Sequence, residues 1–227
     1  RMTGVPGEDA VGVETGVDFL RRVNLNEEGV KLSGKTVVIG GGNVAVDVAR
    51  TALRTGSSDV SMFCLESRDI MPAADDEVAE EEEGIVVNNS WGPKEILTEN
   101  GKVTAVVFKK CISVLDENKR FSPKYDEEEL LTVPCDQVLL SIGQSIKWGA
   151  LLEGTRVEFN PNGTLKADPV TYQTAEPDIF TGGDNYTGPR FAIDAIAAGK
   201  EVIKDKLTGN IIKEIYVPGR IINIVMK

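Results

Sequence analysis

The sequence predicts an α/β fold built on a doubly wound parallel sheet, extended by an antiparallel meander and followed by a separate C-terminal block. Three observations carry this. From Lys35 onward, apolar β-branched runs alternate with helical periods in β-α-β-α-β order, the order of a right-handed parallel sheet. Between residues 94 and 143 the alternation shortens to period two around an Asn-Gly pair, a hairpin signal. After Gln144 the composition changes again, to short turn-rich segments.

The elements follow in order. Residues 1–32 hold loops and one short amphipathic helix, "VETGVDFLRRV", whose Val13, Val17, Leu20 and Val23 are spaced to share a face. Arg1 precedes Met2, and a Gly/Pro loop comes before any core-forming element, so the sequence reads as an internal piece of a longer protein. "KTVVIG" is a buried parallel strand, "NVAVDVARTALRTG" a helix ended by Gly56, and "DVSMFCLE" a second strand. A proline loop, a carboxylate-rich helix ending at Gly84 and a third strand, "GIVVNN", come next. The meander turns at Asn100 and Gly101, carries a polar loop near 116–129, and returns through the apolar "DQVLLSIG" to the buried sheet. Then come a hairpin, "VEFNPNGTLKAD", turning at Asn162 and Gly163, a strand, "DIFTGGD", and a helix, "RFAIDAIAAGKEVIKDKL". The tail 208–227 pairs as two strands about Pro218 and Gly219 and has no assigned role.

Composition removes several functions. The chain carries 25 Lys plus Arg against 36 Asp plus Glu, a net charge of −11, which offers no basic stripe to nucleic acid or to an anionic membrane. Eleven of those 36 carboxylates stand in "DDEVAEEEE" (75–83) and "DEEE" (126–129), which read as solvated faces. Histidine is absent, so Ser-His-Asp and Cys-His nucleophiles and most zinc sites are ruled out. Cys64, Cys111 and Cys135 lie far apart without metal-ligand spacing, and buried reduced thiols of a cytoplasmic protein are expected. No metal site is expected. No apolar run approaches the ~20 residues of a membrane-spanning helix, and the first residues lack a signal-peptide pattern. Hydride transfer survives these exclusions, because it needs a cofactor held in place and no imidazole.

The chemistry-bearing motif is "VVIGGGNVAVDVAR", residues 37–50. G-x-G-x-x-A falls at Gly40, Gly42 and Ala45 within the run Gly40, Gly41, Gly42, Asn43, Val44, Ala45. A tight turn leaves the strand at Gly40, and Gly42 removes the side chain that would block a pyrophosphate. Ala45 lets helix and strand pack closely, while the helix start offers amides and a positive dipole end to phosphates. Ala49 and Ala52 continue that seam. The strand before and the helix after supply the context the motif needs, and a dinucleotide is the expected ligand.

The second strand bears on which dinucleotide. It ends "CLESRD", placing Glu66 where a carboxylate accepts hydrogen bonds from a ribose 2′-hydroxyl and repels a 2′-phosphate. Arg68 is placed to pair with that phosphate instead, so both donors stay open and the balance favours NAD(H) over NADP(H). Ser67 completes the group, and Gly143 and Gln144, after the returning strand, are candidates near the same cofactor.

At this point a resemblance enters. "VPGEDAVGVETGVDFL", "VVIGGGNVAVD", "ESRDIMPA", "SIGQ" and "DIFTGGDNYTGPRFAIDAIAAGK" occur in this order. Over residues 4–206 the chain resembles the C-terminal part of the FAD- and NAD(P)-dependent oxidoreductases related to the small (beta) subunit of glutamate synthase. The resemblance implies a Rossmann-like NAD(P)-binding domain, 33–144, inserted in an FAD-binding domain. Residues 1–32 would end the first FAD half and its linker, 145–207 would form the second FAD half, and 208–227 would be a tail. It further implies that Gly183, Asp184, Gly188, Pro189, Phe191 and Ala192 form one side of an FAD site, with Asp184 on the ribityl chain. The family commonly carries two arginines for the 2′-phosphate where this chain has Leu65 and Glu66. The implied parent enzyme passes hydride from the nicotinamide to FAD, and electrons on to iron-sulfur centres or a partner subunit. No residue is expected to act as catalytic acid, base or nucleophile, and this chain alone is expected to be inactive and colourless. A competing reading is a dinucleotide-binding sensor or docking module without turnover.

Overall fold

A computed structural model describes residues 2–25, 30–73, 84–188, 195, 196 and 199, and the backbone of 211–217 and 221–226. The chain divides into two compact units, Arg1–Gly143 and Gln144–Lys227.

In the first unit, β2 (Lys35–Ile39) leads through α2 (Asn43–Arg54) to β3 (Asp59–Cys64), and β4 (Ile85–Asn89) pairs parallel to β3. β8 (Gln137–Leu140) returns beside β2, and β1 (Val13–Thr15) lies parallel outside β8, giving the order β1-β8-β2-β3-β4. In the central strands β2, β3 and β8 the side chains alternate across the sheet and are largely buried on both faces, which explains their nearly continuous apolar sequence. Val38, Val60, Met62 and Leu139 pack with Phe19 of α1 (Gly16–Asn24) and Ala45, Val48, Ala49 and Ala52 of α2. Val37, Ile39, Phe63, Val138 and Leu140 face a second sheet, β5 (Trp91–Glu99), β6 (Lys102–Leu115) and β7 (Phe121–Pro134), which supplies Ile96, Val106 and Phe108. The rings of Phe63 and Phe108 stack across that junction with centroids 4.0 Å apart.

The meander turns at Asn100 (φ 52°) and Gly101 (φ 76°), the two left-handed positions of a type I′ turn. Two expectations change. The polar loop near 116–129 shrinks to the residues between β6 and β7, since 121–129 belong to β7. β7 is an edge strand, and an edge that carries charges to discourage further pairing looks like a loop in sequence. The helix expected at 13–23 begins only at Gly16: Thr15 caps it by accepting from the Asp18 amide, and Val13–Thr15 form β1. That start rotates the buried face to Gly16, Phe19, Leu20 and Val23, leaving Val17 41% exposed and Phe19 fully buried. The carboxylate-rich helix expected before Gly84 lies outside the described residues.

In the second unit, Phe159 and Leu165 bridge antiparallel around a turn in which Gly163 (φ 83°) donates its amide to Asn160 O at 2.9 Å. Gln173 bridges Phe180, and Gly183 leads into a single-turn helix, α3 (Asp184–Thr187). In the tail, β9 (Ile211–Val217) and β10 (Ile221–Met226) pair antiparallel. Pro218 and Gly219, and most of the helix expected after Pro189, lie outside the described residues.

Candidate functional site

The glycine turn sits at the carboxyl edge of the parallel sheet, and its three glycines are there for different reasons. Gly40 has φ 143°, a conformation side chains rarely adopt, and a Cβ there would run into the carbonyl oxygen of Ser141. Its amide donates to Phe63 O at 2.8 Å, which fixes the turn to β3. A Cβ on Gly41 would come within 2.8 Å of Cys64 Cβ and 3.2 Å of Glu66 Oε2. Gly42 is the exception. It caps α2 in extended backbone (φ −98°, ψ 171°), and a Cβ there would meet no described atom within 4 Å. Nothing on its own backbone or among the described neighbours requires glycine at that position.

α2 opens from this turn, with the amides of Ala45 and Val46 both donating to Gly42 O, at 2.8 and 3.3 Å. A helix start aims its first amides outward along the axis and carries a partial positive charge. Ala45, Ala49 and Ala52 are fully buried against the sheet, so the small-residue seam holds the helix start close to the strand ends. Val44 is exposed.

The segment after β3 closes the other side. Glu66 is half-buried with its carboxylate against Gly41, while its carbonyl accepts from Ser90 N at 3.0 Å and Asn89 Nδ2 at 3.2 Å. Leu65 points away: its Cδ2 packs over Gly92, beside Tyr125. Of these two positions, only 66 therefore reaches the glycine turn. Ser67 caps a short 3-10 turn, Arg68–Ile70, and bonds the exposed Asp69, whose carboxyl it holds below the usual range. Arg68 is exposed and reaches Met71 Sδ at 3.8 Å. Ala73 N donates to Gly41 O at 3.0 Å, tying the proline loop back to the turn.

Glu66 also colours the thiols behind it. Burial first, then the Glu66 charge, push Cys64 up to about 11, and the same two causes raise Cys111. Burial and Asp136 push Cys135 up to about 12. All three cysteines are buried and free, so none is a thiolate nucleophile near neutral pH. No group of three or more acidic or thiol side chains gathers as a metal site among the described residues. No helix among them is long and apolar enough to cross a membrane.

Sequence reasoning did not single out Ser141, at the end of β8. Its amide donates to Ile39 O at 2.7 Å and its carbonyl abuts Gly40. Its hydroxyl is buried without a hydrogen-bond partner among the described residues, a cost of about 1–3 kcal/mol to the free chain. Its sequence signal is slight: one polar residue ending an apolar strand. Gly143 (φ 86°) and Gln144 follow, both exposed.

In the second unit, Gly183 (φ 61°) has Ala195 Cβ 2.7 Å from where its own Cβ would stand, and exposed Asp184 begins α3. Gly188 (φ 82°) ends α3. Thr181 is buried, and its hydroxyl has no partner among the described residues. Pro189, Phe191 and Ala192 lie outside the described residues.

The model of the pyridine nucleotide-disulphide oxidoreductase family matches residues 1–199. The chain belongs to that family. Among curated members of such enzymes, the chain is 38% identical over 204 residues to the NADP(+)-dependent formate dehydrogenase subunit beta of Moorella thermoacetica, covering 86% of this chain and 28% of that one. It is 30% identical to the glutamate synthase [NADPH] small chain of Halomonas elongata (87% of this chain, 45% of that one). To the NAD-dependent dihydropyrimidine dehydrogenase subunit PreT of Escherichia coli K12 it is also 30% identical (88% and 42%). This pyridine nucleotide-disulphide oxidoreductase chain thus spans less than half the length of each of these three relatives. The names of the relatives include both NAD and NADP. The fold matches Mycobacterium tuberculosis FprA, solved in complex with NADPH, with a TM-score of 0.71 at 21% identity (91% of this chain, 61% of that one). It also matches T. acidophilum thioredoxin reductase with a TM-score of 0.62 at 19% identity (92% and 63%).

Proposed function

We propose that the first unit is the nicotinamide-dinucleotide site of a flavin oxidoreductase, with the pyrophosphate lying over Gly40, Gly41 and Gly42 at the start of α2. The observation that carries this is Gly42: no described neighbour needs the missing side chain, whereas a phosphate approaching the backbone does. Residues Asn43, Val44 and Ala45 supply the helix start. The carboxylate of Glu66 takes the adenosine ribose, with Ser67 and Arg68 at its rim and Gly143 and Gln144 at the other end of the cofactor. Its negative charge disfavours a 2′-phosphate, so NADH is the preferred donor.

In the second unit the hydroxyl of Thr181, without a partner among the described residues and close in sequence to Gly183 and Asp184, fits a polar ligand. Gly183, Asp184 and Gly188, with Pro189, Phe191 and Ala192, would hold FAD in the longer protein. In the longer protein the nicotinamide held by the first unit would supply a hydride and the FAD would be its acceptor, with iron-sulfur centres or a partner subunit as the onward electron sink. The chain's own part is to position and to set the electrostatic field.

Calorimetric titration of the purified chain tests the preference. NADH is expected to bind more tightly than NADPH, from a colourless preparation. Equal or reversed affinities contradict the role given to Glu66, and a yellow preparation with a flavin spectrum contradicts the expected absence of flavin from the purified chain.

A further inference from the structure

Glu66 sits on a segment that leaves β3 at Cys64 and returns to the glycine turn at Ala73. One side chain outside that segment grips it at several points. Asn89, the last residue of β4, pairs in register with Cys64. Its amide nitrogen lies 3.2 Å from Cys64 Sγ, 3.2 Å from Glu66 O and 3.7 Å from Met71 Sδ. The next residue adds a second hold: Ser90 N donates to the same Glu66 carbonyl at 3.0 Å. Ser90 does so in left-handed backbone (φ 65°), which is uncommon for residues other than glycine. A carbonyl oxygen has two lone pairs, so that of Glu66 is saturated by two consecutive residues at the end of β4. Held at two points, the 66–67 peptide plane is fixed, and with it the side from which the Glu66 carboxylate leaves the chain. That side faces the turn, where a Cβ on Gly41 would lie 3.2 Å from Glu66 Oε2.

We propose that Asn89 is a positioning residue for dinucleotide choice: by holding the Glu66 carbonyl it keeps the Glu66 carboxylate beside Gly41, where it favours NADH and repels the 2′-phosphate of NADPH. This rests on the dinucleotide reading of the Gly40–Gly42 turn and on the ribose role of Glu66. Repulsion between charges weakens with distance and with the entry of water between them. A carboxylate that swings outward therefore loses both its hydrogen bond to the ribose and its effect on a 2′-phosphate. Asn89 acts through Glu66, so its removal weakens NADH and strengthens NADPH.

The test is calorimetric titration of the 227-residue chain with NADH and with NADPH, for wild type, Asn89→Ala, Glu66→Gln and the double variant. Asn89→Ala is expected to narrow the preference for NADH about threefold to tenfold, the scale of one hydrogen bond. Glu66→Gln is expected to narrow it as well, and Asn89→Ala to change nothing further in that background, as coupled residues do in a double-mutant cycle. Should Asn89→Ala not fold, Asn89→Val, β-branched and suited to a strand, carries the same expectations. An unchanged preference in the Asn89 variant, an equal loss for both dinucleotides, or an effect that persists beside Glu66→Gln overturns the role of Asn89 and leaves that of Glu66 standing. A wild type without the preference, or a preference that survives Glu66→Gln, overturns the role of Glu66 and this proposal with it. Wild-type protein that binds neither ligand overturns the dinucleotide reading as well.

Discussion

At the scale of single residues, the three adjacent glycines do separate jobs, and substitution should tell them apart. Gly40→Ala forces a side chain into φ 143° and against Ser141 O, and is expected to cost about 1–3 kcal/mol of stability, read as a lower urea midpoint. Much of this site was legible in sequence because G-x-G-x-x-A carries its own geometry. Glu66 was legible as the acidic end of the second strand. The division between Leu65 and Glu66 was not, because it depends on which side chain Gly92 and Tyr125 admit. Nor was Ser141, since neighbours far off in sequence, Gly16 and Gly40, define its surroundings.

At the scale of elements, the buried strands and α2 were legible because their periodicity is uninterrupted. β1 was not: three residues are too few to show a period, and its neighbour β8 lies over a hundred residues away. The first part of β7, residues 121–129, read as a loop for a different reason, its exposed edge being rich in charge. The α2 seam carries its own prediction. Ala49 is fully buried between helix and sheet, so Ala49→Leu overpacks it and is expected to cost about 1–3 kcal/mol. By moving the helix start, it should also weaken NADH, measurable by denaturant unfolding and titration of the same variant.

At the scale of the whole molecule, the buried thiols set an alkaline limit. Cys64 and Cys135 are raised from 9.0 to about 11 and about 12. The folded state keeps their protons where the unfolded chain has lost them, so unfolding releases protons and stability falls as pH rises. The contribution is fully present below about pH 9 and is lost through pH 11–12. A falling unfolding temperature across that window, made shallower by Cys135→Ala, is the expected result; identical slopes would place the decline elsewhere.

The placement of a pyrophosphate over the Gly40–Gly42 turn rests on the open space at Gly42, and titration of NADH into wild type and Gly42→Val tests it most directly. A Cβ at Gly42 meets no described atom within 4 Å, and valine is a poorer helix N-cap than glycine, so the variant should lose about 1 kcal/mol of stability and stay folded. Wild type is expected to bind NADH and Gly42→Val to lose at least about 100-fold in affinity, a difference of about 2.7 kcal/mol. Equal binding by the two proteins, or none by either, would contradict the placement of a pyrophosphate over this turn.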